Sequence, residues 1–244
     1  SRNEQTPETN LENLFEAYDN LNEQGWYGED LPVIANTLSI TGDQAETVNI
    51  LKQTYGRLKQ EIYSSRGIKV VAQQLATRKS DKPIDQRVDE YLSLNNQVKE
   101  LTWSSDSTHI ATAILSGSEN QSLAFDRFKE IYQQTKEKLW SSDEIVLASA
   151  IMASTNQGVS EIFGKFSTAY DNGKEAFWSD DQLALAMSVY VAGSRDFDDG
   201  TRFIDAYNGL KTRFWSDDEL FAVASKLTRL PFSIDEVLDT FDTV

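Results

Sequence analysis

The sequence predicts an all-α fold: an α-solenoid of six tandem αα-hairpins of about 37 to 40 residues each plus a C-terminal capping helix, wound into one right-handed superhelix. Three observations point there. The motif Trp-Ser-(Ser/Asp)-Asp recurs at Trp103, Trp140, Trp178 and Trp215, separated by 37, 38 and 37 residues. Stepping back 40 residues from Trp103 lands on Tyr63, and a further 37 on Trp26, so the register holds six times. Apolar residues then keep helical spacing on both sides of every anchor. Self-similarity at such a period is the mark of a repeat architecture.

Helix A precedes each anchor. Eight residues before it stand Tyr18, Tyr55, Asn95, Tyr132, Tyr170 and Tyr207; twelve before it stand Leu14, Leu51, Tyr91, Phe128, Phe166 and Phe203. With apolar residues also at −15, −5 and −1, the stripe follows a 3.6-residue period over about five turns. Helix B follows the anchor and spans roughly three turns. Its apolar positions are +5 (Leu31, Ile68, Thr108, Ile145, Leu183, Leu220), +8 (Ile34, Val71, Ala111, Ala148, Ala186, Val223) and +12. Small residues at +8 allow a neighbouring helix to approach closely. Polar breakers such as SITGDQ, RKSDKP and GSENQS separate each B from the next A.

The joint between A and B reads as a helix start. A Ser at the cap and a Glu or Gln three residues later satisfy two of the backbone N–H groups that a helix N-terminus leaves unpaired. The pairs are Ser141 with Glu144, Ser179 with Gln182 and Ser216 with Glu219. Asp143, Asp180, Asp181, Asp217 and Asp218 fall in the first turn, where negative charge meets the positive end of the helix dipole. The tryptophan then stands at staple spacing, predicting Trp140 on Ile145, Trp178 on Leu183 and Trp215 on Leu220. Helix A shows the same box at Thr9/Glu12, Thr41/Gln44, Ser118/Gln121 and Ser233/Glu236. After the last of these, Val237, Leu238 and Phe241 read as a seventh helix A that covers the open end of the stack.

Composition narrows the function. Asp+Glu total 39 against 23 Lys+Arg, a net charge of −16. Such a surface repels a nucleic acid backbone and an anionic membrane; ATRKSDK at 76–82 is the most basic stretch, and it is short. No run approaches the roughly 18 apolar residues of a membrane span. The absence of cysteine removes disulfides, thiol catalysis and thiolate metal sites. Residues 1–8 read as a flexible polar tether, or as a cloning remnant, and 9–244 as a single helical repeat domain. The cytoplasm is the expected compartment, with a cell-surface protein lacking its N-terminal signal or anchor as the alternative.

The search for chemistry ends in structural readings. His109 is the only histidine, and without cysteine a zinc centre is not expected. A Ser-His-Asp triad would have to use it, and a place within helix B of the third hairpin explains it better. RDFDDG at 195–200 suggests a calcium loop, but its oxygens fall out of phase with the EF-hand pattern and no Glu closes it. A turn and helix cap is expected there. The aromatic rows at −8 and −12 could be imagined as a ligand cage; at helical spacing they are core. No catalytic, cofactor or metal residues are therefore named, no cofactor is expected, and the binding residues stay open.

Hairpins of this length resemble tetratricopeptide-type repeats in general architecture. That unit has about 34 residues and usually closes on a proline, whereas here only Pro231 lies near the end of a helix B. More closely, the aromatic-Ser-Asp-Asp joint followed by an Ala-rich helix resembles a family of uncharacterised bacterial helical-repeat proteins. The resemblance implies the fold and no activity. The leading expectation is a non-catalytic scaffold that binds a protein or peptide on its curved face, a basic one by charge complementarity. A carbohydrate-active α/α toroid and an envelope-tethered structural protein are the alternatives.

Overall fold

The computed structural model describes the chain apart from residues 1–6, 24–33, 36–37, 39–43, 63–65, 79, 103–104, 140–141, 178–179, 194–196, 215–217, 230–232 and 237–244. Every regular element among the described residues is a helix, and none is a strand. In chain order these are α1 (Pro7–Glu23), α2 (Gln44–Glu61), α3 (Arg66–Thr77), α4 (Ile84–Leu101), α5 (Asp106–Ser116), α6 (Gln121–Lys138), α7 (Asp143–Ala153), α8 (Val159–Ala176), α9 (Asp180–Gly193), α10 (Thr201–Lys211) and α11 (Asp218–Leu227). The expected alternation of long and short helices holds from α2 to α8 and is lost after it, where α9 has 14 residues and α10 has 11. Helices α2, α4, α6 and α8 have 18 residues each, five turns, whereas α3, α5, α7 and α11 have 10 to 12. Helix α1 begins at Pro7, inside the stretch expected to be a tether, so Thr9 lies within the helix and not before it. Proline suits a first turn, where its missing N–H would have no partner anyway.

The chain divides into two compact units. The first comprises Ser1–Gln97 with Ser104–Ala113, and the second Val98–Trp103 with Ile114–Val244. In the first unit α1 packs on α2 and α2 on α3. Its core gathers Leu21, Ile34, Leu38, Leu51, Leu58, Ile68, Val71, Leu75 and Tyr91, all from the apolar stripes. Arg57 on α2 reaches α4, donating to Asp85 Oδ1 at 3.0 Å and pairing with Asp89. Helix α3 approaches α5 at Gly67: a Cβ there would stand 3.2 Å from Asp106 Cα, so the contact is backbone-close and only glycine fits it comfortably.

In the second unit α6 packs on α7, α8 on α9 and α10 on α11. Like then meets like across hairpins: α6 touches α8, α8 touches α10, α7 touches α9, and α9 touches α11. The small +8 residues Ala148 and Ala186 are buried. Phe128, Phe166 and Phe203 at −12 are fully buried, which makes the aromatic row core. Along α6, Phe125, Phe128 and Tyr132 stack with centroids 6.5 and 5.6 Å apart, and Phe163, Phe166 and Tyr170 repeat this on α8 at 6.0 and 5.9 Å. Helix α10 is the short A helix, with 11 residues. The chain enters it through Asp199 at φ 57° and Gly200 at φ 90°, a left-handed turn that no helix can run through. That turn seats against α8: Asn172 Nδ2 donates to the Asp199 carbonyl at 2.8 Å, and a Cβ on Gly200 would lie 3.3 Å from Ala169 Cα.

Candidate functional site

The joint motif was the first candidate. Its aromatic anchors Trp26, Tyr63, Trp103, Trp140, Trp178 and Trp215 lie outside the described residues, as do Ser141, Ser179 and Ser216, so the staples and those boxes are not described. What is described moves the cap. Helix α7 is capped by Ser142, not Ser141, and the Ser142 hydroxyl makes no capping hydrogen bond. At the equivalent Ser105, Oγ accepts from the Thr108 N–H at 3.2 Å, a working cap one residue later than expected. With Ser142 at the cap, Ile145 becomes the third helical residue, one short of staple spacing. Both serines of Trp-Ser-Ser-Asp satisfy the cap preference, and sequence alone could not choose between them. Asp143 remains in the first turn and is exposed.

The other boxes divide. Thr41 lies outside the described residues. For α6 the cap is Asn120, whose side chain accepts from Leu123 N–H at 3.0 Å; Ser118 does not cap it, and Gln121 Nε2 donates instead to the Ser116 carbonyl at 3.1 Å. Asparagine ranks with serine as a cap, and that signal in GSENQS was overlooked. The box at Ser233 and Glu236 is complete. Glu236 Oε2 accepts from Ser233 N–H at 2.9 Å and from its hydroxyl at 2.8 Å, while Ser233 Oγ accepts from Glu236 N–H at 3.2 Å. These bonds, the backbone one first, hold the Glu236 carboxyl below its usual range. The helical start expected there is present, but Val237, Leu238 and Phe241 lie outside the described residues.

His109 lies in a buried polar cluster. Its Nδ1 is 3.0 Å from Asn95 Oδ1, and the Thr112 hydroxyl stands between Asn95 Oδ1 at 3.3 Å and the Thr108 carbonyl at 2.8 Å. The Tyr91 phenol donates to the His109 carbonyl at 3.3 Å, and burial pushes its pKa up. The partner on Nδ1 is an amide where a triad would need a carboxylate. The repeat register explains the pair. Asn95 occupies position −8 of the sequence register, where the other five repeats of the sequence have tyrosine, and His109 occupies +6. At the same two positions of the last hairpin, Tyr207 stacks on Phe221 with centroids 4.6 Å apart. Where α10 and α11 make an apolar contact, α4 and α5 make a hydrogen-bonded one.

Of RDFDDG, residues 197–200 are described, and they turn into α10, whose cap is Gly200. Asp198 Oδ2 accepts from the Arg202 N–H at 3.2 Å, its Oδ1 takes the Tyr190 hydroxyl, and Thr201 N–H bonds the Asp198 carbonyl at 3.1 Å. Beside it, between α10 and residues 233–235, opens a cleft of about 630 Å³. Arg202, Asp205, Asn208 and Arg213 line one side and Asp235 the other. Arg213 Nη1 donates to the Gly209 carbonyl at 3.1 Å. Charges of both signs on an open, polar wall suit ion pairs and hydrogen bonds to a polypeptide. Among the described residues no three His, Asp or Glu side chains group as a metal site would require.

One regular feature escaped the sequence reading. The residue four after four of the five −8 tyrosines is a lysine (after Tyr18 it is Asn22), and its Nζ lies over the ring: Lys59 on Tyr55 at 6.0 Å, Lys136 on Tyr132 at 5.9 Å, Lys174 on Tyr170 at 5.9 Å and Lys211 on Tyr207 at 5.8 Å. These distances reach the limit of a cation–π contact. The lysines also sit in the last turn of helix A, where cations meet the negative end of the dipole. The spacing is legible in the sequence, at polar positions outside the apolar stripe.

No family model, curated protein or solved structure matches this chain. The resemblance to bacterial helical-repeat proteins therefore rests on the joint motif alone. No described helix is long and apolar enough to cross a membrane.

Proposed function

We propose that the chain is a non-catalytic scaffold: six αα-hairpins and a capping helix stacked as an open solenoid that binds a basic protein or peptide segment on its curved face. The observation that carries this reading is where the polar groups go. Those within the fold hold hairpins together: Asn95 with His109, Asp198 with the Arg202 N–H, and Arg127, whose guanidinium donates to the carbonyls of Thr155 and Gln157. The acidic excess behind the charge of −16 is left at the surface, as at the exposed Asp143, Asp181, Asp205 and Asp235. Complementary charge of this kind raises association rates and selects partners.

Two measurements test it. Scattering should give a radius of gyration clearly above the roughly 18 Å of a compact domain of this length. A value at that estimate would favour closure into a toroid and redirect the search to sugars. A labelled poly-arginine peptide should bind at low ionic strength and dissociate as salt rises, whereas a poly-glutamate peptide should not bind. Failure of poly-arginine to bind at low salt would remove the basic-partner reading.

A further inference from the structure

The tetrapeptide Ala-Tyr-Asp-Asn occurs twice in the chain, at 17–20 on α1 and at 169–172 on α8. On α8 it holds a cation. Lys138, at the end of α6, places Nζ 5.9 Å over the Tyr170 ring and pairs with Asp171 Oδ1 at 2.7 Å. A ring face and the carboxylate of the next residue thus take one ammonium group between them. Lys174, four residues on, lies over the same ring at 5.9 Å, and Tyr170 is 1% exposed.

On α1 the same two residues face solvent. Tyr18 is 38% exposed and Asp19 is exposed beside it. Asn22 stands where Lys174 stands on α8, and among the described residues no cation lies over the Tyr18 ring. Phe15, one turn back, is 60% exposed. Glu16 and Glu23 are exposed at helical spacing from Asp19. Helix α1 carries Glu8, Glu12, Glu16, Asp19 and Glu23 and contains no lysine or arginine.

We propose that Tyr18 and Asp19 bind a lysine or arginine side chain of a basic partner segment. The cation sits over the Tyr18 ring and pairs with Asp19, as Lys138 does with Tyr170 and Asp171, and Phe15 packs against its aliphatic stem. Charge decides the occupant. The helix supplies no cation of its own, and a second copy of a chain of net charge −16 would be repelled by this acidic face. The contact deepens the basic-partner reading above and rests on it. Each of its parts is weak at an exposed site, so a single bound cation gives a reversible, salt-sensitive contact.

A short, fluorescently labelled poly-arginine peptide, titrated by anisotropy at low ionic strength, tests it. The Tyr18→Ser/Asp19→Asn chain should bind about tenfold more weakly than wild type. Tyr18→Phe keeps the ring and should bind like wild type. Asp205→Asn, which removes an exposed carboxylate of α10, should shift the Kd by less than about twofold. Asp19→Lys should bind at least as weakly as the double variant; it alters only an exposed side chain, so it carries the test if circular dichroism shows that the serine variant loses helicity. Equal binding by wild type and Asp19→Lys overturns the proposal and, if Tyr18→Ser still weakens binding, hands the face to an apolar occupant. A loss in Asp205→Asn as large as in the double variant overturns it as well. In these cases wild-type binding leaves the basic-partner reading intact, whereas a wild-type chain that does not bind removes both.

Discussion

Asn95 and His109 show how one hairpin differs from its neighbours at a single contact. Removing either leaves the other's polar atom buried, at a cost of about 1–3 kcal/mol. Changing both to the residues of the fourth hairpin, Asn95→Tyr with His109→Val after Tyr132 and Val146, replaces the hydrogen bond with an apolar contact. Urea denaturation should find the double variant more stable than the two single losses sum to; strict additivity would show that the two side chains do not act as a pair. Ser233 and Glu236 give a prediction in pH. The Glu236 pKa is lowered by folding, so its contribution is present above the unfolded value near 4.3 and disappears as pH falls through the lower folded value. The difference in Tm between wild type and Glu236→Gln should therefore be constant near neutrality and close to zero in strong acid. The box was readable in the sequence because no competing cap stands near Ser233. At Ser141 and Ser142 two equivalent residues competed, and at Ser118 the asparagine two places on took the role.

At the scale of the element, volume is balanced between the two helices of a hairpin. Position −5 carries Leu21, Leu58, Val98, Thr135, Gly173 and Leu210, and position +9 carries Ala35, Ala72, Thr112, Ser149, Met187 and Ala224. The one glycine faces the one methionine: a Cβ on Gly173 would stand 2.8 Å from Met187 Cε. Met187→Ala should destabilise by about 2–5 kcal/mol because it leaves a cavity, and Gly173→Leu alone should overpack the site at a cost of about 1–3 kcal/mol. Together they recreate the Leu210 and Ala224 pair of the last hairpin, and thermal unfolding of the double variant should show much of the loss recovered. A double variant worse than either single one would refute the exchange. The α6 cap supplies a second check: Asn120→Ala should cost about 1 kcal/mol in urea unfolding, with Ser118→Ala nearer neutral. Element types and lengths were legible, since the apolar stripe continues for five turns before each anchor and three after it. The late start of α10 was not, because the left-handed turn at Asp199 and Gly200 packs on Asn172, 27 residues before Asp199, and on Ala169.

For the whole molecule, the charge of −16 acts on every conformation. Like charges on a compact surface repel, and salt screens them over a Debye length of about 10 Å at 0.1 M. The melting temperature should rise as sodium chloride is added from low ionic strength. A fall would mean that ion pairs such as Arg57 with Asp85 and Lys138 with Asp171 outweigh the repulsion. Sequence alone determined the helical class, the period, the inventory of core side chains and the sign of the surface, because each follows from local spacing or from simple counting. It also placed the aromatic rows in the interior. Tertiary structure decided which of two serines caps a helix, that Asn95 answers His109, and that Phe177 lies on Tyr207 and Lys138 on Tyr170. These are contacts between residues far apart in the chain, and their energies depend on distances that no local pattern encodes.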